Sequence, residues 1–354
     1  MADKVLVKGN EALGEAAIKA GCRFFFGYPI TPQTELSEYL AKRFPKVGGT
    51  FLQAESEVAA INMVLGAASA GARVMTSSSS PGISLKSEGI SYIAGSDLPA
   101  VIVNIQRGGP GLGGIQPSQA DYFQATKGGG HGDYRLIVLA PNSVQEIVSL
   151  TFDAFDLADL YRMPVMILGD GMLGQMMEPV EFPEHSDRVL PEKTWATDTT
   201  QGKRKKNIVN SLYIKPDVLE KIVLDRYERY AEVEAKEARA ENYLTEDADI
   251  IITAYGATSR ISRNAVDALR ASGIKAGLLR PITLWPFPKA EYQRLAKTAK
   301  AFLTVEMSMG QMIEDVKLYT QCKKPVALCN RCGGMIPSPD EVLESIRKAQ
   351  KGEF

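Results

Sequence analysis

Three short stretches hold residue types that could do chemistry. In "QAESEVAAI", Glu55 and Glu57 stand where a strand-like run hands over to an apolar helical run. A glutamate in the first turn of a helix is favoured by the helix dipole, by ~0.3–1 kcal/mol, and that is sufficient for Glu55. Glu57 directly precedes the apolar run "VAAINMVLGAA", which draws it towards the interior. Burial disfavours the charged form of a carboxyl group, and a carboxyl titrating nearer neutrality can shuttle a proton. Both readings of Glu57 fit the spacing. Arg107 ends the apolar run "VIVNIQR" and is followed by glycines. In open α/β sheets ligands lie beyond the carboxyl ends of the strands. A guanidinium emerging there is placed to hold a carboxylate or phosphate through two parallel hydrogen bonds, although a surface Arg closing a strand is the plainer alternative. In "GYPITPQTE", Thr31 lies between Pro29-Ile30 and Pro32. Thr as N-cap before Pro at the first helical position is an ordinary helix start, so spacing alone predicts a helix from Pro32 capped by Thr31.

Other motifs are weaker. Gly109-Pro110-Gly111-Leu112-Gly113-Gly114 satisfies G-x-G-x-x-G. It comes late in its domain, contains a proline and leads into a helix expected only near Pro117, so it does not fit a dinucleotide fingerprint. A flexible loop that lets backbone approach a ligand is the better reading. Gly169-Asp170-Gly171 matches the start of a thiamin-diphosphate metal motif, but positions 194 to 199, "TWATDT", lack the asparagine that would complete it. A strand end turning with glycine help accounts for it. Cys329 and Cys332 form a lone CxxC with only Cys322 nearby, and His131 and His185 lie far upstream. A structural zinc site needs a second ligand pair at matching spacing, and no run resembles an iron–sulfur cradle, so no metal site is expected on this chain.

The elements that must position these residues read as an α/β fold. Helical and strand patterns alternate over the first ~170 residues, the sign of a mostly parallel sheet. "PAVIVNIQ" is the most apolar strand and is placed centrally. A polar helix is expected over "PSQADYFQATK", and "MPVMILGD" is the last strand of this unit. The organisation expected is a first domain over 1–175, an extended connector and charged helix over 176–245, and a second α/β domain over 246–354.

The totals exclude several classes. The chain has 354 residues, 45% hydrophobic and 23% charged, with a formal net charge of -1. That balance lacks the basic footprint of a nucleic-acid binder. No apolar run approaches the ~18 residues of a membrane helix, and "MADKVLVKGNEA" has no signal-peptide core, so a cytoplasmic location is expected.

Taken together, "YPITPQTE", "QAESEVAAI", "TSSSSPGISLKSEGI", "NIQRGGPG" and "KGGGHGDYRLIVLAP" resemble, in order and spacing, one family. It is the 2-oxoacid:ferredoxin oxidoreductases, in the subunit carrying the pyrimidine-type thiamin-diphosphate domain, nearest to those of the 2-oxoisovalerate and 2-oxoglutarate enzymes. The resemblance covers nearly the whole chain. It implies a pyrimidine-type thiamin-diphosphate domain followed by a smaller transketolase-C-like domain. It implies CoA-dependent oxidative decarboxylation of a 2-oxoacid, with electrons passed to ferredoxin. By matched position, Thr31 faces the substrate's carboxylate or 2-oxo group, and Arg107 lies near the substrate carboxylate or coenzyme A. Glu57 hydrogen-bonds the cofactor's aminopyrimidine ring, with Pro29, Ile30 and Thr31 beside it. The resemblance further places Mg²⁺ and iron–sulfur clusters on partners: a diphosphate-binding thiamin subunit, a gamma-type subunit and a ferredoxin-like subunit. The chain alone is then expected to be inactive. Gln33 stands where the family usually has Ser, which leaves the substrate open. "GGGHGDYR" is closer to the branched-chain enzymes than to the 2-oxoglutarate ones, and His131 in that loop has no settled role. The alternatives are a 2-oxoglutarate:ferredoxin oxidoreductase subunit, a non-redox thiamin decarboxylase or transferase subunit, and a structural or interaction protein that keeps the fold without the chemistry.

Overall fold

The computed structural model describes residues 4–184, 188–198 and 203–350; His185, Thr199 and the chain's extreme ends lie outside the described residues. The first part of the chain runs β1 (Val5–Lys8), α1 (Gly9–Lys19), β2 (Phe24–Gly27), α2 (Thr34–Arg43), β3 (Thr50–Gln53), α3 (Glu57–Ser69), β4 (Val74–Ser78), α4 (Ser80–Gly95) and β5 (Ala100–Gln106). It continues with α5 (Tyr122–Thr126), β6 (Ile137–Leu139), α6 (Val144–Tyr161), β7 (Pro164–Asp170), α7 (Gly171–Gln175) and β8 (Met177–Val180). The second part runs α8 (Pro216–Glu237), β9 (Ala240–Tyr243), β10 (Ile250–Thr253), α9 (Gly256–Ala271), β11 (Ala276–Pro281) and β12 (Thr283–Trp285). It ends with α10 (Lys289–Leu295), β13 (Ala301–Glu306), α11 (Met312–Tyr319), β14 (Val326–Asn330) and α12 (Pro339–Gln350).

The larger sheet has seven strands in the order β12-β6-β7-β5-β4-β2-β3. β5 is its centre, and all seven of its residues are buried, Asn104 and Gln106 included, as expected of a largely apolar parallel strand covered on both faces. α3, α4 and α6 lie against it. The smaller sheet has the order β14-β13-β10-β11-β9, with β9 antiparallel on β11 and the other pairs parallel.

Local chemistry explains several boundaries. The Ser56 hydroxyl accepts from the Ala59 amide and starts α3, and Ser143 does the same for α6 through Glu146. Other boundaries differ from the sequence reading. α2 starts at Thr34, not Pro32, and Gln33 is its N-cap residue. The reason is that the carbonyls a longer helix would use internally are held from outside. Thr31 O accepts from Arg107 Nη1 at 2.9 Å and Pro32 O from Asn10 Nδ2 at 2.9 Å. The helix expected over "PSQADYFQATK" shrinks to Tyr122–Thr126. Pro117 bridges Arg107, and Gln119 N donates to Met307 O at 2.9 Å, so this segment is drawn out to join the two parts of the chain.

Two pairings had no local signature. β8, inside the stretch read as connector, pairs antiparallel with β1. β12 leaves the second unit to extend the larger sheet along β6, so strand exchange ties the units together. No helix among the described residues is long and apolar enough to cross a membrane.

Candidate active site

Because β2, β3, β4, β5 and β7 run parallel, the segments that follow them open at one carboxyl edge. Arg107 follows β5 there. It is 7% exposed, and its guanidinium donates to the carbonyls of Thr31 and of Leu112, the latter through Nη2 at 3.0 Å. One cation thereby clamps the loop after β2 to the Gly-rich loop after β5. Its Nε is buried with no hydrogen-bond partner. The Arg107 backbone is fixed from below: its N–H donates to Ser80 Oγ at 3.0 Å, and Ser80 Oγ lies 2.6 Å from Asp121 Oδ2. Asn104 Nδ2 also donates to Asp121, at 2.9 Å. Burial pushes the Asp121 carboxyl up against the downward pull of those two bonds.

Thr31 is exposed and its hydroxyl caps no helix; its contribution to the clamp is its carbonyl. Pro29 is exposed beside it and Ile30 partly so. Gln33 is fully buried and points inward. Its Oε1 accepts from Ser77 Oγ at 2.6 Å, tying the same loop to the end of β4. Gln33 is therefore a buried anchor of the loop.

Glu57 is the first residue of α3 and is 7% exposed. No described residue donates a hydrogen bond to its carboxylate, whose oxygens keep some contact with solvent. It lies against the start of α4: a Cβ built on Gly82 would come 2.8 Å from Glu57 Oε1 and 2.1 Å from Ser78 Oγ. Only glycine lets α4 approach that closely. The hydroxyls of Ser78 and Ser79 are buried there without partners. A buried polar atom left unpaired costs about 1–3 kcal/mol. Unmatched hydroxyls, a guanidinium nitrogen and a carboxylate at one edge therefore have the character of a site built for a polar ligand.

One turn further along α4 is Lys86, which the sequence reading passed over as part of a helix. It is 0% exposed, and its Nζ donates to Thr76 Oγ1 at 2.8 Å and to Ser77 O at 2.9 Å. Burial pushes its ammonium down to about 7, with Glu57 opposing. The available signal was a lysine in "PGISLKSEGISYIAG", where Glu88 is the one other charge and the remaining residues are mostly small or apolar.

The structure thus brings Arg107 and Thr31 into direct contact. Glu57 joins them only through the ends of β4 and α4. His131 is not part of this edge. It is exposed, its carbonyl accepts from Ser91 and its ring packs on Tyr92, about 16 Å along α4 from Ser80 at 1.5 Å per residue. Asp170 of "GDG" is buried and caps α7 through the amides of Met172 and Leu173, while burial pushes its carboxyl up to about 6. Of the "CNRC" pair, Cys329 is buried and Cys332 exposed. The Gly-rich loop carries a different consequence. Its first glycine, Gly108, lies within contact of the Gly333-Gly334 backbone, so the loop is braced by the second unit.

Residues 15–244 match the family described as pyruvate flavodoxin/ferredoxin oxidoreductase, thiamine diphosphate-binding, and residues 248–342 match pyruvate:ferredoxin oxidoreductase core domain II. The chain belongs to the pyruvate:ferredoxin oxidoreductase family. Within that family it is 54% identical to the ketoisovalerate oxidoreductase subunit VorB of Methanothermobacter marburgensis, over 97% of both chains. It is 38% identical to the 2-oxoglutarate synthase subunit KorA of Methanothermobacter thermautotrophicus, over 99% of this chain and 100% of that one. Among solved structures it is similar to the 2-oxoglutarate:ferredoxin oxidoreductase of Magnetococcus marinus, solved with 2-oxoglutarate, coenzyme A and succinyl-CoA, with a TM-score of 0.86 and 30% identity. That match covers 98% of this chain and 65% of the other. A split-gene transketolase at 16% identity and a TM-score of 0.62 shares the fold.

Proposed function

We propose that this chain is the subunit of a cytoplasmic 2-oxoacid:ferredoxin oxidoreductase that holds the pyrimidine end of thiamin diphosphate, acting on a branched-chain 2-oxoacid of the 2-oxoisovalerate type. The observation that carries the reading is Glu57, a largely buried residue whose carboxylate has no donor among the described residues, at the carboxyl edge of a thiamin-family sheet. A hydrogen-bond donor from outside the chain is what it lacks, and an aminopyrimidine ring whose ring nitrogen carries a proton is such a group. When bound, thiamin diphosphate supplies the carbon nucleophile for the 2-oxo group and the electron sink for decarboxylation.

The residues of this chain then have separable tasks. Glu57 shares a proton with the ring nitrogen. The Thr31 hydroxyl, exposed and uncommitted, donates to the substrate's carboxylate or 2-oxo oxygen. Arg107 fixes the two loops around the substrate and offers Nε and its positive charge to the carboxylate or to coenzyme A. Pro29 and Ile30 give the cofactor ring an apolar border. Leu112 and Ile115, 83% and 58% exposed on the clamped loop, favour a branched aliphatic side chain over a second carboxylate, which would call for a cation. A diphosphate- and Mg²⁺-binding subunit, a gamma-type subunit and an iron–sulfur ferredoxin-like subunit complete the enzyme, with ferredoxin as acceptor.

Purification of the native complex, followed by a panel of 2-oxoacids with coenzyme A and ferredoxin, tests the proposal. The expected result is fastest reduction with 2-oxoisovalerate. Preference for 2-oxoglutarate moves the substrate to the dicarboxylic class, in line with the relative named for that activity. An iron-free complex that decarboxylates without reducing ferredoxin would make this a non-redox thiamin enzyme.

A further inference from the structure

Lys86 is a lysine with no exposure, an environment that lysine almost never occupies without a carboxylate in contact. No carboxylate of the described residues forms an ion pair or hydrogen bond with it. Its Nζ has two neutral acceptors, Thr76 Oγ1 and the Ser77 carbonyl. An ammonium has three N–H donors, so the pair leaves one over. Lysine side chains on a helix lean towards its N-terminus, which carries Nζ back towards Ser77 and the turn of Gly82, against which Glu57 Oε1 rests.

The charged surroundings are sparse. α3 contributes Glu57 alone, and β2, β4 and β5 contribute no titratable side chain. β7 ends in Asp170, whose carboxylate is engaged as a helix cap. Arg107 is held on two carbonyls, and Asp121 on Ser80 and Asn104. Glu88, on α4 itself, is exposed and bonded to Tyr92. Glu57 is the one charged group that opposes the effect of burial on Lys86.

We propose that Lys86 acts through Glu57 as a positioning residue: its buried amino group is charged while Glu57 stands alone, and gives its proton to solvent when the cofactor's pyrimidine ring engages that carboxylate. The inference rests on the reading of Glu57 above. Once the ring nitrogen and Glu57 take up one proton from solvent and share it, the field that held Lys86 charged weakens while its burial is unchanged. The ammonium then loses one proton to solvent and remains as a neutral amine on Thr76 and Ser77. The contribution of Lys86 to cofactor engagement thereby becomes more favourable as pH rises through neutrality, because less of its proton remains to be expelled; the proton taken up at the ring nitrogen is common to wild type and to variants at Lys86.

The test is calorimetric titration of thiamin diphosphate with Mg²⁺ into the cofactor-depleted complex. Two buffers of different ionisation enthalpy at each pH from 5.5 to 8.5 give the number of protons released. The diphosphate and metal contribute equally in every variant. The wild-type complex is expected to release more protons than Lys86→Met, by about half a proton near pH 7 and by none at either extreme. Thr76→Val removes one acceptor of the ammonium and should displace that bell to lower pH; it serves also if Lys86→Met does not assemble. A difference that is flat with pH, or a bell that Thr76→Val leaves in place, overturns the proposal. Glu57→Gln separates the two readings. If it leaves activity and cofactor affinity intact, the reading of Glu57 itself has failed. If it abolishes activity while wild type and Lys86→Met release the same protons, only the role of Lys86 has failed.

Discussion

Glu57 and Glu306 are both buried glutamates at a strand-to-helix junction on the carboxyl side of a parallel sheet, and their surroundings are opposite. Glu306 ends β13 with no exposure, and its two oxygens accept four hydrogen bonds, from Ser308 Oγ at 2.8 Å and the amides of Gln311, Met312 and Ile313 at 2.9–3.0 Å. It satisfies the N-terminus of α11 much as an N-cap does. Glu57 starts α3, but Ser56 already caps that helix, so the carboxylate is not needed there. A buried carboxylate with saturated lone pairs is part of the scaffold. Glu57 has no such donors among the described residues and lies beside the unpaired Ser78 hydroxyl, so nothing within the scaffold accounts for its carboxylate.

The largest effect that tests this contrast is on chemistry. Glu57→Gln is nearly isosteric and breaks no hydrogen bond within the chain, so its thermal midpoint should stay within a degree or two of wild type. Activity of the reconstituted complex should fall by more than ~100-fold, the scale of a missing general acid or base. Intact activity would reduce Glu57 to a helix-dipole residue. Glu306→Gln should behave in reverse. It turns acceptors towards amide donors and weakens charge-assisted bonds, at a cost of about 2 kcal/mol in stability. Chemical denaturation measures that loss, and activity per folded complex should be retained. If both substitutions damage stability alone, the distinction between scaffold and site collapses.

A smaller effect belongs to Arg107, which has features of both residues. It is bonded to Thr31 and Leu112 carbonyls like a scaffold group, yet its Nε is unpaired like a site group. Lysine keeps the charge but cannot reproduce the fork. Arg107→Lys should lower kcat/KM about tenfold, equivalent to about 1.4 kcal/mol. It should also speed amide hydrogen exchange across residues 28–33 and 108–116. Faster exchange with unchanged kcat/KM would make Arg107 a loop clamp alone.

How far these features could be read from sequence follows from the range of the forces involved. The position of β5 was legible because its run is the most apolar of the strands, and the start of α3 because the apolar run "VAAINMVLGAA" opens directly after Glu57. Long-range pairing was not legible. β1 and β8 are short, partly exposed strands far apart in the chain, and β12 has three residues, so neither carries enough periodicity to announce a partner. The start of α2 was misread because local propensity competes with two carbonyl bonds from Asn10 and Arg107 that no window around Pro32 contains. Lys86 was overlooked for the same reason: its burial depends on a glycine-enabled contact between α3 and α4.

Thr31 offers the finest test, because the two readings of its hydroxyl differ in sign of expectation. Were it the cap of α2, Thr31→Val would cost about 1 kcal/mol of stability. The structure starts α2 at Thr34 and leaves the hydroxyl exposed, while the bonded atom of Thr31 is the carbonyl, which valine retains. Thr31→Val should therefore change stability by less than about 0.5 kcal/mol, as for an exposed position without partners. Any loss of activity it causes must then come from a hydroxyl that contacts the substrate. Thr31→Ser keeps the donor and should restore most of that activity. A stability loss near 1 kcal/mol in the valine variant, rescued by serine, would instead return the hydroxyl to the helix cap and remove Thr31 from the site.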